Sequence, residues 1–168
     1  SKHRLIDIGI HPRKVHVIPC TVGNENIILP TKPQDGLIRC LSVGRMVAKK
    51  APLTTLAAFA EAVKLKPNLR LDYIGDGPLL ASAMNFVQAS GLSNCVTLHQ
   101  SQPHSVVQSM MAQSDIFIHH AVTDPATGDE EGLPVAILEA MRHALPVIST
   151  LHSGIREAVI DKRSGYLL

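Results

Sequence analysis

Along this chain the apolar residues change their period repeatedly. Short β-branched runs read as strands: VHVIP at 15–19, LIRCLSVG at 37–44, LRLDYIG at 69–75, CVTLH at 95–99, DIFIHH at 115–120, LPVIST at 145–150 and the terminal GYLL. Between them, apolar positions recur at helical spacing. Residues 52–66 carry Leu56, Phe59, Ala60 and Val63 on one face, residues 78–90 stop at Gly91, and 105–113, 134–143 and a short 154–160 follow. The opening KHRLIDIGI reads as though it starts partway through a helix. Strand and helix alternate at the spacing of parallel crossovers. This predicts an α/β fold, a doubly wound Rossmann-like parallel sheet with helices on both faces, as one domain over 1–168. Residues 23–36 and 121–132 read as loops, the second acidic and mobile (TDPATGDEEG).

In open sheets of this kind, ligands bind beyond the carboxyl ends of the strands. That rule selects Gly44-Arg45, Gly75-Asp76-Gly77-Pro78, His99-Gln100-Ser101, His119-His120 and the stretch 150–154, all along one edge. Glu131 follows the His119-His120 strand through the acidic loop and should face the same edge.

Composition narrows the field. The 168 residues suffice for one domain with its own core. With 18% charged residues and a formal net charge of +2, no basic field argues for nucleic acid or a membrane surface. The absence of tryptophan argues against stacking platforms for single strands. Cys20, Cys40 and Cys95 are far apart and fit neither a disulfide framework nor zinc spacing, so reduced thiols of a cytoplasmic protein are expected. No apolar run reaches the roughly 18 residues that cross a bilayer, and no signal peptide is visible. The chain begins without Met and is expected to be cut from something longer. Peripheral attachment of that longer protein to the inner face of the membrane is left open.

The stretch EEGLPVAILEAMRHALPVIST, 130–150, carries the sharpest chemistry. Pro134 suits the first turn of a helix, whose free N–H groups and positive dipole end can hold an anion. Gly132 lets the backbone approach a ligand. Glu139 lies about a turn and a half inside the helix, too deep to cap it, among apolar residues where a carboxylate needs a partner. Two vicinal hydroxyls, as on a ribose, would serve. The plainer alternative has Glu131 capping the helix and Glu139 paired with Arg142. In GRMVAKKAP, 44–52, Arg45 and Lys50 suit a diphosphate, though a solvated basic loop would look the same. GDGP, 75–78, is half of a dinucleotide fingerprint with Leu80 where the third glycine belongs, and serves equally as a tight turn. Adjacent His119 and His120 point to opposite strand faces and cannot share a metal. No metal site is expected, and no Ser elbow or complete P-loop is present.

Taken in order, VGRMVAKK, GDGP, EGLPVAILE and EAMRHALPVIST resemble the carboxyl-terminal, donor-binding half of retaining GT-B glycosyltransferases of family four. The resemblance covers nearly the whole chain. EGLPVAILEAM with the following HSGI is similar to bacterial exopolysaccharide and colanic-acid-type transferases. It implies that Arg45 and Lys50 hold a nucleotide diphosphate and stabilise charge on it as it departs. Glu139 would bind the ribose hydroxyls, and Glu131 would sit by the donor sugar. The backbone of Gly132, Leu133, Pro134 and Val135 would contact sugar and phosphates, while Gly75, Gly77, His99 and Gln100 would lie near the base. The nucleotide-sugar is then a substrate, with neither metal nor other cofactor, and a glycan or lipid-linked acceptor binds an amino-terminal domain outside this chain. The chain alone is therefore expected to bind donor weakly and transfer little. Departures from the family pattern are Gln100 and Ala144 for Gly, His120-Ala121 for Pro-Ser, Ser153-Gly154 for Gly-Gly, and Arg156 for Pro. Competing expectations are a UDP-sugar 2-epimerase-like GT-B enzyme and a non-catalytic interaction module. The incomplete glycine fingerprint argues against a dehydrogenase.

Overall fold

A computed structural model describes residues 2–16, 18, 21–23 and 33–168. Its elements are α1 (Lys2–Asp7), β1 (Ile38–Val43), α2 (Pro52–Leu65), β2 (Leu69–Ile74), α3 (Leu80–Ala89), β3 (Val96–His99), α4 (His104–Gln113), β4 (Ile116–His119), α5 (Val135–Arg142), β5 (Val147–Ser149), α6 (Ile155–Ala158) and β6 (Gly165–Leu167). Single 3-10 turns occupy Pro12–Lys14 and Ala48–Lys50. The sheet runs β3-β2-β1-β4-β5-β6 with every neighbouring pair parallel. This is the Rossmann-like, doubly wound order expected, and the winding reverses between β1 and β4.

The alternation of β1 explains the two-sided core. Cys40 points with Leu71, Tyr73 and Val96 toward α2 and α3, where Leu56, Phe59, Ala83 and Val87 cover them. Leu41 points the other way with Ile74, Phe117 and Val147, under Val107, Met111, Ile137, Ala140 and Ile155 of α4, α5 and α6. A central strand buried on both faces needs a near-continuous apolar run, and LIRCLSV is one. Burial pushes the Cys40 thiol up to about 12. Cys40 and half-buried Cys95 are free thiols, and Cys20 lies outside the described residues. Among the described residues, no helix is long and apolar enough to cross a membrane.

The expected strand at 15–19 is not formed where it is described. Val15, His16 and Ile18 lie in no strand, directly after the 3-10 turn, while Val17 and Pro19 lie outside the described residues. A β-branched run becomes a strand only with a partner edge, and the six-stranded sheet takes none from this segment. Residues 24–32 of the loop expected at 23–36 are likewise outside the described residues. Three helices start later than expected, α6 at Ile155 with Gly154 as its N-cap. α3 begins at Leu80 because the preceding turn is spent on packing: Leu79 N donates to Met46 O at 3.0 Å and Leu80 N to Gly77 O at 3.0 Å. α5 begins at Val135, with Pro134 at the N-cap in extended geometry (φ −66°, ψ 125°), just outside the first turn rather than in it.

Candidate functional site

The crevice lies where the winding reverses, beyond the carboxyl ends of β1 and β4. After β1 the chain passes Gly44 and Arg45, makes the Ala48–Lys50 turn, and enters α2 through Ala51, whose φ of 39° is left-handed. A non-glycine residue held there costs about 1 kcal/mol. The bend turns Lys50 back, so that a Cβ built on Gly44 would meet Lys50 Cδ and Cε at 3.8 Å.

Gly75 and Gly77 support this loop from below. A Cβ at Gly75 (φ 157°) would lie 1.9 Å from Gly44 O, and one at Gly77 (φ 148°) 2.6 Å from Met46 O. Gly44 N donates to Ile74 O at 3.0 Å and Met46 N to Asp76 O at 2.9 Å. The two glycines therefore let the β1 and β2 loops pack backbone against backbone. That accounts for GDGP without a ligand.

A cavity of about 370 Å³ opens above, lined by Val43, Gly44, Arg45, Lys50, Glu131 and the start of α5 (Pro134, Val135, Ala136), with Val47 and Lys49 at its edge. That volume is in the range of small-molecule sites. Lys50 Nζ lies 3.0 Å from Glu131 Oε2, with the two side chains only 13% and 15% exposed, and 3.3 Å from His119 Nε2. Burial lowers the Lys50 pKa, opposed by Glu131 and assisted by Lys49. Although Glu131 Oε2 is within ion-pair distance, the approach is off the hydrogen-bond direction. The oxygen is buried and has no partner other than Lys50 among the described residues. Glu131 does not cap α5, which has no side-chain cap. Arg45 is exposed, and its side chain makes no hydrogen bond or ion pair among the described residues.

His119 is buried and stacked on Phe117, the rings 6.4 Å apart and 10° from parallel. Burial first, then the Lys50 charge and His120, holds its pKa down at about 3. The acidic loop is fastened to the same turn. Val122 N donates to Lys49 O at 2.9 Å, and Lys49 Nζ pairs with Asp129 at 2.8 Å. Thr150 Oγ1 accepts from Ala121 N at 3.0 Å and donates to Ala121 O at 2.7 Å.

Glu139 lies deeper on α5. Its side chain is 18% exposed, and Oε1 accepts from His104 Nε2 of α4 at 2.9 Å. That histidine is a partner at the expected polar position. Because Nε2 donates to the carboxylate, the Gln108 amide nitrogen 3.2 Å away is a contact and not a second hydrogen bond. Gln108 Oε1 in turn accepts from His143 Nε2 at 2.7 Å. At the β3 end, His99 Nε2 donates to Asp72 Oδ1 at 2.7 Å, and His99 O accepts from Gly75 N at 3.0 Å. Gln100 is exposed. Gly132 is exposed, and Leu133 packs against Gly154, where a Cβ would meet Leu133 N at 3.1 Å.

The structure thus joins Arg45, Lys50, Glu131, Pro134 and Val135 in one cavity. Glu139 stands about a turn and a half along α5, and Gly75, Gly77, His99 and Gln100 stand at neighbouring strand ends. Sequence reasoning placed these residues but missed their partners: His119 on Lys50, His104 on Glu139 and Asp72 on His99. No group of His, Cys, Asp and Glu among the described residues could hold a metal ion.

With this geometry in view, the family model described as "Glycosyl transferases group 1" matches residues 25–168. The chain is 33% identical to the amylovoran biosynthesis glycosyltransferase AmsK of Erwinia amylovora over 99% of its own length and 41% of that protein's. It is also 33% identical to the putative colanic acid biosynthesis glycosyltransferase WcaL of Escherichia coli K12, over 83% of this chain and 34% of WcaL. The chain therefore spans well under half of either relative. Its fold matches that of Anabaena HepE, solved in complex with UDP-glucose, with a TM-score of 0.67 and 20% identity over 79% of this chain and 35% of HepE.

Proposed function

Because this chain belongs to the family of glycosyl transferases group 1, we propose that it is the donor-binding part of an enzyme that moves a sugar from a nucleoside-diphosphate sugar to an acceptor in polysaccharide synthesis, with retention of anomeric configuration. The observation that carries this is the cavity at the winding reversal. It brings an arginine with no ion pair among the described residues, a lysine paired with Glu131 and the start of a helix to one concave wall.

A diphosphate suits that wall. Arg45 offers a fork of donors, Lys50 a point charge, and the first N–H groups of α5 have no partner within their helix. As the bond between anomeric carbon and phosphate oxygen breaks, its electron pair leaves with the diphosphate, and Arg45 and Lys50 stabilise that charge. Glu131 Oε2, buried and facing only the Lys50 ammonium among the described residues, would accept from a donor-sugar hydroxyl. Glu139 would exchange its exposed His104 partner for the ribose hydroxyls. Gly132, Leu133, Pro134 and Val135 would offer backbone to sugar and phosphates. Gly75, Gly77, His99 and Gln100 would flank the base, the two glycines also serving the backbone packing of the β1 and β2 loops. A glycan or lipid-linked acceptor would be bound by the remainder of the protein, beyond the 41% of AmsK that this chain spans.

Calorimetric titration with UDP, GDP and ADP tests the donor site. One of them is expected to bind. Glu139→Ala should weaken that nucleotide at least tenfold while leaving inorganic pyrophosphate nearly unchanged, because only the nucleotide carries a ribose. A folded full-length protein that binds none of the three at millimolar concentration would sink the proposal. Product NMR on the full-length enzyme tests retention, and an inverted anomeric centre refutes that part alone.

A further inference from the structure

We propose that His119 is a positioning residue for Lys50: it takes one of the three ammonium N–H groups so that, with Glu131 alongside, another is aimed at a phosphate oxygen in the cavity. The inference rests on reading that cavity as a diphosphate site, and it assigns a role to a residue that neither the motifs nor the family match singled out.

The geometry allows one arrangement. An ammonium group only donates, so the contact at 3.3 Å makes His119 Nε2 the acceptor and places the ring proton on Nδ1. The imidazole is neutral, because burial and the neighbouring lysine charge both oppose protonation. Its plane is fixed by stacking on fully buried Phe117 and by its place at the end of β4, paired in register with Ser149 of β5. Lys50 comes from the opposite side of the crevice, 69 residues away in sequence. Its ammonium therefore sits between an anion that attracts it and a neutral acceptor that orients it.

The distinction has chemical consequences. A second carboxylate in place of His119 would hold Lys50 equally well but would repel the incoming diphosphate. An apolar side chain would leave one N–H of a buried ammonium without an acceptor and Lys50 free to swing toward Glu131. A neutral acceptor fixes the cation without cancelling its charge.

The test uses the full-length protein with UDP, GDP and ADP as probes, following whichever binds. His119→Phe keeps the stack on Phe117 and removes the acceptor, whereas His119→Gln keeps an acceptor at similar reach. The expected result is a Kd raised about tenfold or more by the Phe variant, the worth of a hydrogen bond to a charged group, and restored to within about threefold by Gln. Binding unchanged by His119→Phe overturns the inference while leaving the diphosphate site intact. No binding by the unaltered protein, or binding untouched by Lys50→Met, overturns both. A readout without ligand guards against variants that fold poorly. The ring 15N spectrum of His119, assigned by its loss in the Gln variant, should show an Nδ1–H, Nε2-unprotonated tautomer at neutral pH. An Nε2–H tautomer or an imidazolium there refutes the arrangement.

Discussion

Replacing Lys50 with Met separates what the crevice needs for stability from what it needs for binding. In the native protein the Lys50–Glu131 pair is 3.0 Å apart with both side chains about six-sevenths buried. At an effective dielectric constant of about 20, the gross attraction at that distance is roughly 5.5 kcal/mol. Desolvation of both ions offsets much of it. Removing one partner also strands the other, because Glu131 Oε2 already lacks a hydrogen bond. A net loss of about 2–4 kcal/mol is expected, somewhat below the range for breaking a fully buried pair. For a domain of this size that lowers Tm by roughly 5–15 °C. Replacing both partners, Lys50→Met with Glu131→Leu, should recover most of the loss, since an apolar pair of similar volume avoids the stranded charge. The assay is urea unfolding of the four proteins in the cycle, with UDP, GDP and ADP titrations in parallel. A coupling energy of at least about 1.5 kcal/mol is expected, with the double variant stable yet unable to bind a diphosphate. Additivity within about 0.5 kcal/mol, or diphosphate binding by the double variant, would refute the reasoning.

Three further perturbations follow from the backbone and the buried histidine. Gly75→Ala places a Cβ 1.9 Å from Gly44 O; a destabilisation on the order of 3 kcal/mol in urea unfolding is expected, and a neutral effect would deny the close backbone packing. Ala144 closes α5 with a φ of 56°, so Ala144→Gly should raise stability by about 0.5–1 kcal/mol and Tm by a few degrees, the reverse of the usual glycine penalty. His119, held at about 3 in the fold against an ordinary value of 6.5, binds fewer protons folded than unfolded between those limits. Its stabilisation is complete above about pH 6.5 and falls by up to about 1.4 kcal/mol per pH unit as the solution is acidified toward pH 3. His119→Phe should flatten that slope in unfolding measured from pH 7 to 4, and an unchanged slope would show that another group carries it.

All six strands of the sheet were legible in the sequence: the central ones because a parallel strand buried on both faces is a short apolar run between turn residues, and β6 only as the short apolar end GYLL. The run at 15–19 has the same local pattern, yet its described residues Val15, His16 and Ile18 lie in no strand. Strand propensity cannot report that, because pairing is a property of the whole fold. The convergence of Arg45, Lys50 and Glu131 was also legible, since the rule about carboxyl ends needs only strand directions. What could not be read were contacts made by side-chain conformers across long separations. His104 meets Glu139 from 35 residues away, and His119 meets Lys50 from 69. Periodicity put His119 on the right strand but could not say which side chain crosses the crevice to meet it. The start of α5 was misplaced by one residue for a local reason: Pro134 has a helix-compatible φ but an extended ψ.

The distribution of unsatisfied groups separates a site from a surface. Folding normally leaves few buried polar atoms without a partner, because each costs about 1–3 kcal/mol. Among the described residues three buried side-chain atoms lack any partner, Ser149 Oγ, His152 Nε2 and His143 Nδ1, and a fourth, Glu131 Oε2, has only its ion pair with Lys50. Ser149 ends β5, His152 lies in the loop that follows, and Glu131 lines the cavity above β1 and β4. Three of the four therefore sit at or just beyond the carboxyl ends of the strands. Gly154 follows in the same loop, where a Cβ would crowd Leu133 N at 3.1 Å. If these groups had only a structural role, they would be expected to find partners within the fold, as Asp72 does with His99 and Thr150 with Ala121. Glu131 at the winding reversal, and Ser149 and His152 at the neighbouring strand end, instead keep hydrogen-bonding capacity that the described fold does not use.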